Sequence, residues 1–206
     1  MTAMAAGELS AIFRSPAFLL IVSGMFFCNV PQVIVSSQLK LVLMENGASS
    51  TLATWVVSLY AGGVIVGRLL SGLALDKVSP QLVAIVALGL PAAGFMALAS
   101  PFDAGWVLGG AILLVGLAQG AEGDIGAYLT SRTFDIRHFS FVYSFLIASM
   151  GVGTAVGSLT LSVMLDLTEN FNLFLVTAAV LTVIGALCFF LTGLGSPTRS
   201  EAPKAT

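Results

Sequence analysis

The chain has 206 residues, of which 57% are hydrophobic and only 9% charged, with a formal net charge of −2. A soluble domain carries roughly 25% charged residues to clothe its surface, so a soluble globular domain is excluded. The few scattered basic residues make no nucleic-acid surface. Apolar runs of about 20 residues, enough to cross a ~30 Å hydrocarbon core, recur from end to end. The ~10-residue alternating segments of a transmembrane barrel are missing. The class is an all-α polytopic membrane protein.

Residues 1–15 read as a cytoplasmic lead-in. Met1 to Ser10 is small and acidic and lacks the basic region of a secretory signal. Six transmembrane helices follow, at about 16–39, 51–75, 81–100, 105–131, 139–165 and 170–193, within a bundle over 16–194. The first carries Asn29, Gln32 and Ser36 around Pro31, and a proline there frees a carbonyl and predicts a kink or unwound turn. The second carries Tyr60 and Arg68, with Gly63, Gly67 and Ser71 spaced for close helix packing. Arg68 stands eight residues before Asp76, so ~12 Å from the end of its span and near the midplane. The third has almost no strongly polar groups. The fourth carries Gln119, Glu122, Asp124 and Tyr128, and Arg132 opens the connector that follows it. The fifth carries Tyr143, Thr154 and Ser158, with Ser149, Gly153 and Gly157 as a second close-packing set, and the sixth is again apolar. His138 falls in a basic connector, as a solvated charge near headgroups. The segment 195–206 is polar, holds two prolines and is predicted to be a disordered cytoplasmic tail.

The short connectors predict that successive spans are antiparallel neighbours. Arg14, Lys77, Arg132, Arg137, Arg199 and Lys204 lie on one side and Lys40 on the other, which places both termini in the cytoplasm of a plasma (inner) membrane. Gly63-Val64-Ile65-Val66-Gly67-Arg68-Leu69 aligns with Gly153-Thr154-Ala155-Val156-Gly157-Ser158-Leu159 at an offset of 90, as does Leu75-Asp76 with Leu165-Asp166. The two copies run in opposite directions, the pattern of a 3+3 inverted repeat, which secondary transporters share. Polar groups at membrane depth must face protein or water. The first, second, fourth and fifth spans therefore line a cavity or a partner surface, and the third and sixth face lipid. Cys28 and Cys188 lie in apolar runs and read as buried free thiols. A single histidine supplies neither a bis-His haem site nor a His-based zinc cluster, and no metal or cofactor is expected.

Three stretches carry a family resemblance. Gly67-Arg68-Leu69-Leu70-Ser71-Gly72-Leu73-Ala74-Leu75-Asp76-Lys77 is similar to the signature between the second and third spans of a half in the major facilitator superfamily of secondary transporters. Val78-Ser79-Pro80 stands where that family usually has a Gly and a basic cluster. Ala121-Glu122-Gly123-Asp124, with Tyr128-Leu129-Thr130-Ser131-Arg132 and Phe139, resembles bacterial members near the monocarboxylate and oxalate–formate group. Arg14-Ser15-Pro16-Ala17-Phe18 looks like the lead-in to the seventh span. The resemblance covers nearly the whole chain and identifies it with the carboxy-terminal six-helix half of a twelve-helix bundle. It implies a solute held at mid-membrane between two halves. The implied partners are the bilayer, a small-molecule solute and a second six-helix half, either a missing amino-terminal half or another protomer. The chain is then a fragment, the product of a split gene, or a half-transporter.

In the monocarboxylate relatives an Arg four residues before a Gly, here Arg68 and Gly72, serves the substrate anion, while Val64 stands in place of their acidic neighbour. Arg68 is thus a substrate-binding candidate able to hold a carboxylate through two parallel hydrogen bonds. The alternative is an ion pair with Glu122 or Asp124. Those two acids point ~200° apart on a helix and serve no common site. Of the two, Glu122 is the proton-coupling candidate. Asp124, Tyr128 and Arg132 form an i, i+4, i+8 stripe that reads as a structural charge ladder reaching the gating residue Asp76. Asn29, Gln32, Tyr60, Gln119 and Tyr143 are the remaining candidates for substrate contact. The expected function is transmembrane transport of a small organic solute, a carboxylate, by alternating access driven by protons. The alternative is a non-transporting scaffold or transporter remnant. An intramembrane serine protease is not expected, because no Gly-x-Ser-Gly turn occurs.

Overall fold

The computed structural model describes residues 6–102 and 104–195. They form α1 (Ala6–Phe13), α2 (Pro16–Asn29), a π-helical turn (Ile34–Gln38), α3 (Leu39–Glu45), α4 (Ser50–Leu75), α5 (Pro80–Leu98), α6 (Gly105–Thr133), α7 (Ile136–Thr168) and α8 (Asn172–Gly195), with no strand among the described residues. Among the described residues six segments are long and apolar enough to cross a membrane: Pro16–Glu45, which joins α2 to α3, then α4, α5, α6, α7 and α8. The all-α, six-span reading therefore stands. The lead-in assigned to 1–15 contains α1, and of the tail assigned to 195–206 all but Gly195 lies outside the described residues.

The connectors are shorter than the hydropathy suggests, because a helix ends at a cap and not where apolar residues stop. The first span continues through Lys40 to Glu45 and turns at Gly47, whose φ of 82° suits a residue without a Cβ. Ser49 then caps α4 by accepting from the Leu52 N–H at 3.2 Å. Asp135 caps α7 through the Arg137 N–H at 3.2 Å. Arg132 and His138, expected in a loop, therefore lie in α6 and α7, and Asp166 lies inside α7. Pro16 and Pro80 each open a helix, where a missing N–H costs nothing.

The spans alternate in direction, but most successive ones are not close neighbours. Of the chain-adjacent pairs only α5 and α6 pack extensively, while α4 with α5, α6 with α7 and α7 with α8 meet sparsely. The main contacts are α4 on α6, α5 on α6 and α8, and α2 on α7 and α8. Exchanging the two triplets of spans maps α4–α6 onto α7–α2, α5–α6 onto α8–α2, and α5–α8 onto itself. Small residues set these contacts. A methyl added at Gly63 would lie 3.1 Å from the Leu113 carbonyl oxygen, and one at Gly153 would lie 2.6 Å from that of Phe26. A methyl at Gly67 would run into the Leu117 carbonyl, and one at Gly157 into that of Val30. The equivalent glycines thus seat equivalent helix pairs.

Two large apolar cores result, beside a small cluster of Ile12, Phe18 and Val142. One joins Val42, Leu43, Leu98, Leu108, Ile112 and Phe174. The other joins Ile21, Met25, Ala84, Ile125, Leu146 and Phe189. Outward residues of α5 and α8 are apolar, among them Leu82, Val86, Met96, Val180 and Leu187, as a lipid-facing surface requires. At the other side α1 is pinned across the start of α7. The Phe13 ring meets Phe18, Phe141 and Phe145 edge-on at 5.3, 5.8 and 5.1 Å. Glu8 lies 3.8 Å from Arg137 and 3.9 Å from His138. His138 is consequently not the solvated charge expected of it: its side chain is only 12% exposed, covered by α1.

Candidate functional site

The kink expected at Pro31 is present. Helical bonding breaks at Val30 and Pro31 and resumes through the π turn. Ser37 donates its hydroxyl to the Val33 carbonyl at 3.0 Å, and Ser36 reaches the same carbonyl at 3.4 Å. Asn29 ends α2 just before the break, on the level that separates the two apolar cores.

On that level Asn29, 3% exposed, faces Glu122 of α6, 4% exposed. The Asn29 amide donates to Glu122 Oε1 and, at 2.8 Å, to the Met25 carbonyl. The Gln119 amide donates to Glu122 Oε2 at 3.2 Å. Both carboxylate oxygens are thus held by neutral donors, and no cation lies within ion-pair range of Glu122 among the described residues. A cavity of about 20 Å³ adjoins the carboxylate, lined by Gln32, Gln119, Cys28, Pro31, Phe95 and Thr182 among others. It has room for one water, which these polar groups could hold. The Tyr60 hydroxyl of α4 lies near the Gln32 side chain. Four candidate substrate residues, Asn29, Gln32, Tyr60 and Gln119, are therefore gathered with Glu122 around the kink.

Arg68, Asp124, Asp76, Arg132 and Tyr143 lie elsewhere. Arg68 Nε approaches Asp124 Oδ2 at 3.5 Å, with side chains 65% and 40% exposed. Glu122 and Asp124 face opposite ways, as their spacing requires. Arg132 donates to the Tyr128 hydroxyl from Nε at 3.2 Å and Nη2 at 3.0 Å, and stacks 5.2 Å over that ring. Asp76 shares an open groove with Asp124, Tyr128, Ser131 and Phe139. No Asp76–Arg132 ion pair forms among the described residues, so the ladder does not reach Asp76. Tyr143 stacks on Phe139 with ring centroids 5.4 Å apart and packs on the Met25 core, away from the polar level.

Two cavity residues escaped the sequence. Thr182 is one of three threonines in an otherwise strongly apolar span, and its hydroxyl is spent on the Ala178 carbonyl at 2.7 Å. Cys28 reads as inert packing, yet it faces the cavity from beside the kink. Only the third dimension brings α8 against α2.

A family model of the Major Facilitator Superfamily matches residues 17–206. The chain belongs to the major facilitator superfamily. Members of this superfamily are transporters rather than enzymes, and the six apolar helices make the chain an integral membrane protein. No curated protein matches it.

Proposed function

We propose that this major facilitator chain is one half of a proton-coupled secondary transporter for a small organic anion, a carboxylate. The observation that carries the reading is the Asn29–Glu122–Gln119 node at the kink of the first span. A carboxyl at membrane depth with neutral partners and a water-sized cavity beside it can gain and lose one proton without breaking an ion pair. In its ionised form Glu122 accepts from both amides. Protonation adds a donor to one oxygen, and the amide opposite must turn its own oxygen toward it. Gln119 turns more cheaply, because the Asn29 amide also serves the Met25 carbonyl. Proton uptake at Oε2 thus reorients Gln119, a cavity residue facing Gln32, and frees an amide donor to meet a solute.

The Arg68–Asp124 pair supports the anion. A guanidinium at this depth is costly unless paired or solvated. At 3.5 Å and largely exposed, the pair is loose enough for a solute carboxylate to displace Asp124. Both residues lie on the side formed by α4, α6 and α7, where the exposed stripe Thr54, Ser58, Ala61, Arg68 and Gly72 matches Ser144, Ala148, Gly151, Ser158 and Ser162 at the offset of 90. Small and polar residues on exposed transmembrane helices suit close helix approach, so a second six-helix half covers this side and the solute path runs between the halves. The excess of Arg and Lys at the end bearing Lys77, Arg132 and Arg137 makes that end cytoplasmic. The test is carboxylate uptake into proteoliposomes under an inward proton gradient. Arg68→Lys should lower uptake and Glu122→Gln should abolish its response to the gradient; unchanged behaviour of both variants would overturn the reading.

A further inference from the structure

Because α4 and α5 both pack on α6 but meet each other sparsely, a crevice opens between them. Its volume is about 310 Å³. One wall is the face Gly67, Leu70, Ser71 and Ala74 of α4; the other is Leu82, Val83, Val86, Ala87 and Leu90 of α5; Leu117 and Ala121 of α6 make the floor. Its one hydroxyl, Ser71, is already committed to the Arg68 carbonyl at 3.0 Å. The rim is exposed, with Leu70 at 54% and Val86 at 56%. Water in such a crevice would find no partners. In a chain that crosses a membrane the apolar material at this depth is hydrocarbon. From Leu82 to Leu90 the crevice runs ~12 Å along the helices, inward from the α4–α5 connector.

The connector closes the crevice with Val78 and supplies charge. Lys77 is exposed there, with no ion-pair partner among the described residues. The first turn of α5 begins beside it, and its cap residue Ser79 makes no side-chain cap bond. A helix N-terminus and an ammonium at the mouth of an apolar slot complement a phosphate above an acyl chain. Asp76, the neighbouring acid, lines the separate groove with Asp124 and Tyr128.

We propose that the α4–α5 crevice is a phospholipid site, with one acyl chain laid against α6 and an anionic headgroup held at Lys77 and the start of α5. The lipid fills the gap between the second and third spans, so their relative position depends on it. The role is separate from the polar node and stands whether or not Glu122 carries protons.

Native mass spectrometry of the full chain, purified with phosphatidylglycerol or phosphatidylcholine, tests it. The wild type should retain one phospholipid, with phosphatidylglycerol favoured about fivefold, the effect of one basic residue near a headgroup. Ala87→Phe, which fills the crevice, should lose that lipid, and Lys77→Gln should erase the preference. Gly72→Ala, at an exposed position with open space around it, should change neither. Equal lipid retention in wild type and Ala87→Phe, or an unchanged preference in Lys77→Gln, would overturn the proposal. Should Ala87→Phe fail to fold, a diazirine-bearing phosphatidylglycerol decides the matter on the wild type. Adducts should concentrate on 70–78 and 82–90, and adducts spread evenly over the outer faces of α5 and α8 would contradict the site.

Discussion

Glu122 is held by two amides of unequal commitment, and the consequences can be measured residue by residue. Glu122→Gln keeps the shape of the node and removes its titration. Transport by that variant should become independent of the proton gradient while solute exchange persists, which a pH-jump uptake assay reads. Asn29→Leu leaves a buried carboxylate short of a donor and should destabilise the protein by ~1–3 kcal/mol, seen as a lowered thermal unfolding midpoint in detergent. Arg68 works at a different place. Arg68→Lys keeps the charge and loses the planar fork, so KM for a carboxylate should rise about tenfold, ~1.4 kcal/mol, with kcat little changed. A KM equal to that of the wild type would leave Arg68 as only the structural partner of Asp124. Much of this was legible in the residues. Asn29, Gln32 and Glu122 stood out because polar groups are rare in such runs. Their convergence did not, since nothing in either helix alone says that Asn29 faces Glu122 and not Asp124. The opposite directions of Glu122 and Asp124 were legible, because they depend only on helix geometry.

At the scale of the helices, glycine position decides what packs on what. Gly67 and Gly157 seat α4 on α6 and α7 on α2 with no room for a Cβ. Gly67→Ala and Gly157→Ala should each cost ~1–3 kcal/mol by overpacking against a carbonyl that cannot yield. Gly72→Ala, one turn beyond and with open space around it, should be neutral or stabilising by ~0.5–1 kcal/mol. Unfolding of the three variants in the same detergent separates the two cases. The close-packing role of the small residues was readable from their four-residue spacing. Which helix each set packs on was not: loop length pointed to sequence neighbours, whereas the glycine faces select helices two or more spans away. The ends of the elements were also under-read. Lys40, Arg132 and His138 lie in helices because Ser49, Asp135 and Gly47 set the stops, and caps carry little hydropathy signal.

For the whole molecule, the offset of 90 between Gly63-to-Asp76 and Gly153-to-Asp166 foreshadows an arrangement in which every major helix contact has a counterpart in the other triplet. The repeat also predicts which sides are free. With native cysteines replaced, Ser58→Cys on α4 and Ser158→Cys on α7 should cross-link in membranes to a second six-helix body, while Val86→Cys on α5 and Val180→Cys on α8 should not. Equal cross-linking from all four sites would remove the argument for a covered face. Trp55 and Trp106, 72% and 82% exposed and sharing one groove at the far end of α4 and α6, suit the membrane–water interface on that side.

Coupling at Glu122 is read most directly by following solute and proton in one vessel. Proteoliposomes of the full chain assembled with its second half carry a pH-sensitive dye and receive an impermeant carboxylate on the outside. The wild type should acidify the lumen only when solute is present, and Glu122→Gln should exchange solute without acidification. Acidification by Glu122→Gln at the wild-type rate, or none by the wild type while solute still enters, would contradict coupling at Glu122.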